Sequence, residues 1–435
     1  MGPDRRQRAP RPWAPANSGL RSPLVDRSFE RRIVVAGILL AVAFLVMAVA
    51  SLGVPVDVRR GAWLPLHLAL AGGASTAIAA VMPFFVAAFA AVPPADPRLR
   101  SVAVGFVACG AAGIVAGLEL GVGVLAAGSG AVYVTGIGAT ATAVVRPLGG
   151  SLGPSRGLVT RAYLVALLHV GIGGSLASLL LAGWQPVTTA WAAFRPAHAW
   201  LNLIGFVSLV IATTLLHFFP TVVGARIRAR RSATLAVVGL AAGSELVAAG
   251  FVAGLDFVAR TGAVLALGGM AGLAANAWAT WRTRGRWTTD LAWHRFAIGG
   301  LVSAIAWFAV GIAIASGRVL QLGISPAAWE TNAVAGPLVV GWTGLSILAS
   351  ATHLLPAIGP GSPGAHAAQR RLLGQWAVPR LAALNLGCLG LTVGLLGGHA
   401  AAALAGVILL AIGAGATIVL LAGAVVLGTP QPRTR

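Results

Sequence analysis

Residues 198–220 read HAWLNLIGFVSLVIATTLLHFFP, an apolar segment that starts with a histidine and ends with a proline. A second histidine, His217, lies three residues before that proline. A transmembrane helix needs about 20 predominantly apolar residues. The segment is long enough to meet that requirement, so it predicts a helix that crosses a bilayer.

Two other parts of the chain share this pattern. Residues 61–83 read GAWLPLHLALAGGASTAIAAVMP, and residues 334–356 read VAGPLVVGWTGLSILASATHLLP. Aligned on their final prolines, the first and second segments share Ala-Trp-Leu, and the second and third share a histidine (His217 and His353). The prolines are 137 and 136 residues apart, and such a constant period predicts a threefold internal repeat.

The composition excludes a soluble globular protein. Apolar residues make up 57% of the chain and charged residues 9%, with a mean hydropathy of +0.87, whereas ordinary soluble domains carry about 25% charged residues. The net charge is +21, and all 31 basic residues are arginine. We interpret the missing lysine as codon bias of a GC-rich bacterial genome. We therefore expect a multi-pass protein of a bacterial plasma membrane, with the lipid bilayer and no nucleic acid as its partner.

The apolar segments predict an all-α fold with twelve transmembrane helices. We expect one transmembrane domain over 32–428, built from three four-helix repeats at about 32–150, 157–286 and 292–428. The predicted spans are 32–54, 62–92, 100–124, 126–146, 157–183, 198–224, 232–254, 258–280, 292–316, 331–357, 378–398 and 402–427.

The arginines predict the orientation of this domain. With the N-terminus in the cytoplasm, all but five arginines lie on the cytoplasmic side, as the positive-inside rule requires. Both termini are then cytoplasmic: a disordered basic tail over 1–31, rich in Pro and Arg, and a short tail over 429–435. The Gly- and Pro-containing loop 361–377 predicts a flexible turn. The five arginines that fall on the outer side of the membrane are Arg59, Arg60, Arg195, Arg260 and Arg318.

Four histidines on the repeated helices are the candidate cofactor ligands. His67 and His198 fall near the outer ends of their helices, and His217 and His353 near the inner ends. Neutral imidazole is a common ligand of haem iron and of copper. The sequence therefore predicts an outer pair and an inner pair of ligands, with an alternative in which these histidines only bond to carbonyls or water at the membrane boundary.

Other polar side chains inside the spans are costly to bury and so need a reason. Glu119 and Glu245 are candidates for a proton relay, or for protonated carboxyls bonded across helices. His169 is either a third ligand or a hydrogen-bonded core residue. Asn202 lies one turn from His198 and Thr213 one turn from His217, where each could orient its histidine. We assign packing roles to the two cysteines and no role to the remaining histidines, namely Cys109, Cys388, His294, His366 and His399.

Three stretches resemble a known family. Twelve predicted helices in three four-helix repeats, with histidines on the second, sixth and tenth, resemble subunit I of the haem–copper oxidases, a family that includes the nitric oxide reductases. VMPFFVAAF (81–89) also looks like the stretch after that family's haem ligand. The three stretches more closely resemble the membrane region attached to some bacterial membrane-anchored multicopper oxidases: WLPLHLALAGG (63–73), HAWLNLIGFVSLVIATTLLHFFPTVVGARI (198–227) and VGWTGLSILASATHLLPAIG (340–359). The resemblance implies a haem between the second and tenth helices, and a second haem beside a copper held by the sixth and seventh.

The ligand set of that family is incomplete here. The seventh helix, LAVVGLAAGSELVAAG (235–250), lacks the histidine pair of the family, and the tenth carries one histidine near its inner end instead of two toward the outer side. We therefore expect a scaffold without a complete oxygen-reducing centre and assign no catalytic residue.

This scaffold would bind haem or copper through some of His67, His198, His217 and His353. We expect it to serve electron transfer, or nitric oxide or copper handling, with an extracytoplasmic copper or electron-transfer protein as partner. The alternative is a non-catalytic transporter or assembly partner with structural histidines. A threefold repeat disfavours the inverted-repeat transporter designs.

Overall fold

A computed structural model describes residues 27–150, 157–228, 230–285 and 294–429, and within these ranges the chain is helical with no strand. Twelve of its helices are long and apolar enough to cross a membrane, which confirms the predicted number. We label them α1 Arg32–Gly53, α2 Trp63–Phe89, α3 Pro97–Glu119, α4 Gly123–Gly149, α5 Leu158–Leu181, α6 Trp191–Val222, α7 Arg231–Ala253, α8 Asp256–Trp281, α9 His294–Leu322, α10 Pro326–Ala357, α11 Ala377–Gly397 and α12 Ala400–Gly428.

The helix boundaries differ from prediction in two informative places. The first helix begins at Arg27, and residues 1–26 of the predicted tail lie outside the described chain. The sixth span begins at Trp191, seven residues before His198. His198 is therefore inside the helix, not at its boundary.

The predicted flexible turn at 361–377 was wrong, because it contains the helix Pro363–Gly374. The Ser362 hydroxyl accepts a hydrogen bond from the Ala365 amide and caps the first turn. Gln369 is fully buried and donates to the carbonyl of Ala424 at 2.8 Å. A cap and a buried amide thus outweigh the Gly and Pro content that suggested a turn. Of the short C-terminal tail, residues 430–435 lie outside the described chain.

Helices α2, α6 and α10 form the interior of the bundle. Of the most apolar window of each, 56%, 78% and 61% is buried, against 22% for α12. Their middle parts touch, α2 against α6 and α6 against α10. Trp200 on α6 and Trp342 on α10 are both fully buried. The three helices that carry the repeated sequence pattern therefore lie in the core of the molecule, to which α7, as buried as α2, also belongs.

Each of these three helices contains a wide, π-helical stretch: Leu68–Ala74 in α2, Trp200–Ser208 in α6 and Ala335–Gly344 in α10. In all three, a hydroxyl group bonds the carbonyl five residues earlier: Ser75 to Leu70, Ser208 to Leu203, and Thr343 to Leu338. Such bulges are frequent at functional sites. The threefold repeat stays a prediction, which this shared feature supports.

The helices around the core pair through glycine. Gly110 on α3 faces the backbone of Tyr133 on α4, and Gly239 on α7 faces the backbone of Gly269 on α8. At each position a methyl group would come within 2.7 Å of backbone atoms. Small residues permit such close approach where lipid gives helices no hydrophobic reason to associate. Gly394 on α11 faces Ala403 on α12 in the same way.

Successive helices cross the bundle in opposite directions, which gives it two distinct ends. We call the end at which the described chain starts and stops the terminal end, and the opposite end the distal end. The repeated prolines do not end their helices. The helices continue past them, since Pro83, Pro220 and Pro356 all lie inside helices that end at Phe89, Val222 and Ile358.

Candidate functional site

His67 is held near the distal end of α2, one residue before the wide stretch begins. Its Nδ1 atom lies 2.8 Å from the carbonyl oxygen of Trp63, one turn earlier. A carbonyl only accepts, so Nδ1 carries the proton and Nε2 keeps its lone pair. The Trp63 ring stacks on the imidazole with 4.4 Å between ring centres. Both contacts fix the orientation of the ring.

His198 is held in the same way on α6. Its Nδ1 lies 2.9 Å from the carbonyl oxygen of Gly173 on α5, while the Asn202 amide donates to the carbonyl of His198 itself at 2.7 Å. The same amide nitrogen lies 3.1 Å from Nδ1 of the His198 ring, so Asn202 contacts His198 as expected. A methyl group on Gly173 would lie 2.5 Å from the Asn202 amide nitrogen. Glycine at 173 therefore leaves room for the Asn202 side chain to pack against α5.

The two imidazoles face each other across the α2–α6 interface. Their ring centres are 6.4 Å apart and their planes differ by 15°. A metal ion bonded at about 2 Å to one nitrogen of each of two opposed imidazoles would separate the ring centres by roughly 6 Å. Metal-bound histidines almost always donate their other ring N–H to a carbonyl, carboxylate or water. The donor set and the spacing of His67 and His198 therefore fit one shared metal.

A cavity of about 750 Å³ opens beside this pair at the distal end. Sites for small molecules and cofactors occupy about 300–1,000 Å³ and are mostly apolar with a few polar groups. The cavity fits that description, and its aromatic and polar lining residues are Trp63, His67, Ser75, Tyr133, Ser178, Trp191, His198, Asn202, Phe206 and Trp329.

Charged side chains lie at the distal rim of the cavity. Arg60 and Arg195 are both exposed and line it, and so does Glu330, whose carboxylate is 3.0 Å from the guanidinium of Arg318. Since Glu330 is paired with an arginine outside the lining, the two lining arginines leave a net positive rim. Such a rim favours an anionic group at the mouth of the cavity.

The predicted inner pair is arranged differently. The His217 ring lies 4.9 Å from Phe89, and the His353 ring lies 5.6 Å from Phe218 and 5.9 Å from His294. Among the described residues no ring contact joins His217 to His353. The structure thus brings His353 to His294, a residue to which the sequence assigned no role.

Nor does Thr213 orient His217. Its hydroxyl is buried and forms no hydrogen bond with any described residue, and the same is true of Nδ1 of His217. The expectation that Thr213 would be the partner of His217 is therefore wrong, although the two residues are one turn apart.

The remaining candidates lie on α3, α5 and α7. Glu119 is the exposed last residue of α3 and makes no hydrogen bond or ion pair with the described residues. His169 is fully buried, bonds the carbonyl of Gly205 at 2.9 Å and lies 3.0 Å from the Glu245 carboxyl. His169 is thus a hydrogen-bonded residue rather than a third ligand.

Two histidines are the full extent of the distal metal-binding candidate. Within the described ranges, no three His, Cys, Asp or Glu side chains form a group that could hold a metal ion. The two cysteines are not paired: Cys109 is exposed on the bundle surface and Cys388 is buried. The arrangement therefore suits a bis-imidazole cofactor, which brings its own further ligands, better than a bare ion that needs four.

Sequence reasoning missed the pairing of side chains across helices. Tyr133 donates to the Ser75 hydroxyl at 2.8 Å inside the cavity, and neither residue was singled out. The available signal was the presence of both polar groups inside apolar spans. No signal placed His294 beside His353, because that contact depends on how α9 packs on α10.

Comparison with known proteins supports the fold but not a family. No family model matches the sequence, and no curated protein matches it. A solved structure does match: the cryo-EM structure of a heme-copper terminal oxidase dimer has a TM-score of 0.61, with 93% of this chain and 85% of that chain covered, at 14% identity. Identity this low shows the fold alone. The chain thus has the fold of a haem–copper terminal oxidase, as the quoted motifs suggested.

Proposed function

We propose that this protein is a haem-binding electron-transfer protein of the bacterial plasma membrane, with His67 and His198 as the two residues that would hold the haem iron. The observation that carries the proposal is the distal pair itself: two near-parallel imidazoles with 6.4 Å between ring centres, each with its Nδ1 committed to a backbone carbonyl. Both histidines also line one cavity. The heme-copper terminal oxidase of the same fold supports haem as the class of cofactor.

The cavity favours haem over copper. A copper ion held by two nitrogen atoms needs little more space than the gap between the rings, and it would leave a cavity of about 750 Å³ unexplained. A haem would use the apolar walls for its macrocycle, and Arg60 and Arg195 at the rim for its carboxylates. Bound there, haem would supply one-electron chemistry. The protein's part is to orient the two rings and exclude water.

The site lacks the remaining ligands of an oxygen-reducing centre. A copper beside a second haem requires further imidazoles, and α7 contains none. We therefore propose electron transfer without oxygen reduction. The rim would face the extracytoplasmic side, where an electron-transfer or copper protein would dock.

The visible spectrum of the detergent-purified protein, oxidised and then reduced with dithionite, tests this proposal. We expect a Soret band and sharp α and β bands on reduction, typical of six-coordinate haem. His67→Ala and His198→Ala should each abolish these bands. His217→Ala and His353→Ala are the matched controls and should keep them.

Loss of the bands in His217→Ala or His353→Ala, but not in His67→Ala, would move the haem to the terminal end and overturn the assignment. A featureless spectrum after expression with haem supplied, together with bound copper by metal analysis, would make the distal pair a copper site. If neither haem nor copper is found, the result would favour a non-catalytic transporter or assembly partner.

A further inference from the structure

Glu245 and His169 meet deep inside the membrane, behind the wall of the distal cavity. The Oε1 atom of Glu245 on α7 lies 3.0 Å from Nε2 of His169 on α5. Glu245 is eight residues from the nearer end of α7, about 12 Å along the helix. The imidazole is 0% exposed, whereas the carboxyl is 52% exposed on the outer surface of the bundle, where it faces lipid.

The hydrogen bonds of His169 determine how many protons the pair holds. Nδ1 lies 2.9 Å from the carbonyl oxygen of Gly205, which only accepts, so Nδ1 carries a proton. A neutral imidazole then presents a lone pair at Nε2. A carboxylate opposite that lone pair would repel it, so one proton must lie between Nε2 and Oε1.

The cost of placing charge in the hydrocarbon of the membrane determines on which atom that proton resides. An imidazolium facing a carboxylate would place two charges in the hydrocarbon, one of them on a group that is half exposed to lipid. A protonated carboxyl that donates to neutral imidazole places none. The neutral arrangement is therefore favoured, because burying charge costs more than the ion pair returns.

We propose that Glu245 and His169 form a site that holds a single shared proton, with Glu245 as the residue that carries it. The site is a store with one entrance and not a link in a chain. A proton that moves from Glu245 to Nε2 leaves an Nδ1–H that ends on the Gly205 carbonyl, which cannot pass a proton on. Of the two residues, the one that can exchange the proton is therefore Glu245, whose carboxyl is 52% exposed at the outer surface of the bundle. The proposal therefore replaces the expected proton relay at Glu245 with a site that holds one proton and does not pass it to a further group.

Glycine at 205 makes the contact possible. A methyl group there would lie 2.5 Å from Nδ1 of His169. Gly205 belongs to the wide stretch of α6 whose neighbouring residues Phe206 and Val207 line the cavity. The proton site is thus attached to the segment that shapes the cavity, although Glu245 itself is not part of the lining.

Other ionisable groups on the packed helices are either paired or remote. The Tyr163 hydroxyl bonds Thr214 at 2.7 Å, and Arg260 on α8 pairs with Asp256 at 2.6 Å. The remaining ionisable residues on α5, α6 and α7 are Arg161, Arg195, His198, His217 and Arg231. Each lies at least seven residues along its helix from His169 on α5, Gly205 on α6 or Glu245 on α7. None of these contacts supplies a charge that would ionise Glu245.

Infrared difference spectroscopy of the protein in lipid nanodiscs tests the proposal. We expect the carbonyl stretch of a protonated carboxyl in the wild type at neutral pH, shifted by deuteration and lost in Glu245→Gln. The amide of glutamine can still donate to Nε2, so the fold should be kept. Glu119→Gln makes the same chemical change at an exposed helix end and should leave the band in place. A spectrum identical in the wild type and in Glu245→Gln would overturn the proposal.

Labelling of the unaltered protein gives a second, independent test. Dicyclohexylcarbodiimide enters lipid and reacts with protonated carboxyls, so we expect an adduct on Glu245 by mass spectrometry. Glu330, paired with Arg318, is the internal control and should react more slowly. Equal labelling of the two would refute a protonated Glu245. Neither test depends on haem. Failure of these tests would therefore leave the proposed haem function standing, and absence of haem would leave the proton site standing.

Discussion

At the scale of single residues, the distal pair depends on the second nitrogen of each ring. A histidine whose Nδ1–H is bonded to a carbonyl cannot rotate freely, and its Nε2 is kept unprotonated for a ligand. His67 obtains that bond from its own helix, whereas His198 obtains it from α5. The orientation of His198 therefore depends on the contact between α5 and α6, of which Asn202 is a part.

Asn202→Leu should weaken cofactor binding without removing either ligand. The change deletes the amide that contacts the carbonyl and the ring nitrogen Nδ1 of His198, and the loss of such a partner costs about 10- to 100-fold in metal affinity. Haem titration of the apoprotein, followed at the Soret band, measures the effect.

Thr213→Val is the control for that variant. Thr213 lies on the same helix, fully buried and without a hydrogen-bond partner among the described residues, so its replacement should leave the titration unchanged. Equal weakening in both variants would mean that general disturbance of α6, and not the orientation of His198, explains the loss.

At the scale of helices, adjacent glycines on α8 provide a matched comparison. A methyl group on Gly269 would lie 2.6 Å from the backbone nitrogen of Leu240, whereas one on Gly268 would meet nothing within 4 Å. Gly269→Ala should therefore destabilise the protein by about 1–3 kcal/mol through overpacking. Gly268→Ala should be neutral, or stabilising by up to about 1 kcal/mol, since alanine favours a helix.

Unfolding of both variants in detergent, followed by circular dichroism, measures the difference. A Gly268→Ala variant as unstable as Gly269→Ala would show that flexibility of α8, and not its close approach to α7, is what the glycines provide.

Gly205→Ala should disturb the contact between His169 and Glu245 without replacing either residue. The new methyl group would displace the His169 ring and break its bond to the Gly205 carbonyl. We expect the infrared band of Glu245 to shift to the frequency of a more weakly bonded carboxyl. Gly171→Ala, where a methyl group meets nothing within 4 Å, is the control and should leave the band unmoved. A band unchanged in Gly205→Ala would contradict the contact.

The sequence predicted helices far better than it predicted contacts between them. Apolar length determines a membrane span almost alone, and twelve spans were found where twelve were expected. The His217–His353 pair was expected from a shared position in the repeat, yet each ring packs on other partners. Position along a helix sets depth in the membrane, but the rotation of each helix, which decides which rings meet, is set by packing that no single segment encodes.

The His67–His198 pair meets the same condition as the inner pair, equal depth on touching helices, but here the rotation of the helices also brings the two rings together. Both residues fall within two turns of the distal ends of α2 and α6, so their depths agree. Their helices also form the core of the bundle and touch there. With equal depth on touching helices, only the orientation of the two rings is not predicted. The contacts of His67 with Trp63 and of His198 with Gly173 determine that orientation.

At the scale of the whole molecule, the distribution of arginine predicts the orientation in the membrane. Cysteine placed at Arg260 should react with a membrane-impermeant maleimide from outside intact cells, and cysteine placed at Arg370 should react only after lysis. Arg260 lies at the distal end of α8, and Arg370 lies in the helix Pro363–Gly374 at the terminal end. Both variants should be made with Cys109→Ser, because Cys109 is exposed on the surface. The reverse pattern would place the cavity on the cytoplasmic side.

The wide stretch of α6 has a consequence for the register of the entire distal half of that helix. A π-helical turn contains one residue more than an ordinary turn, and one residue corresponds to a rotation of about 100° and a rise of about 1.5 Å. His198 lies just on the distal side of Trp200–Ser208, and the core residue Leu209 lies just on the other. Removing one residue from the stretch would turn His198 away from His67 and leave the terminal half in place. A single inserted residue thus sets the angle at which the two imidazoles face each other.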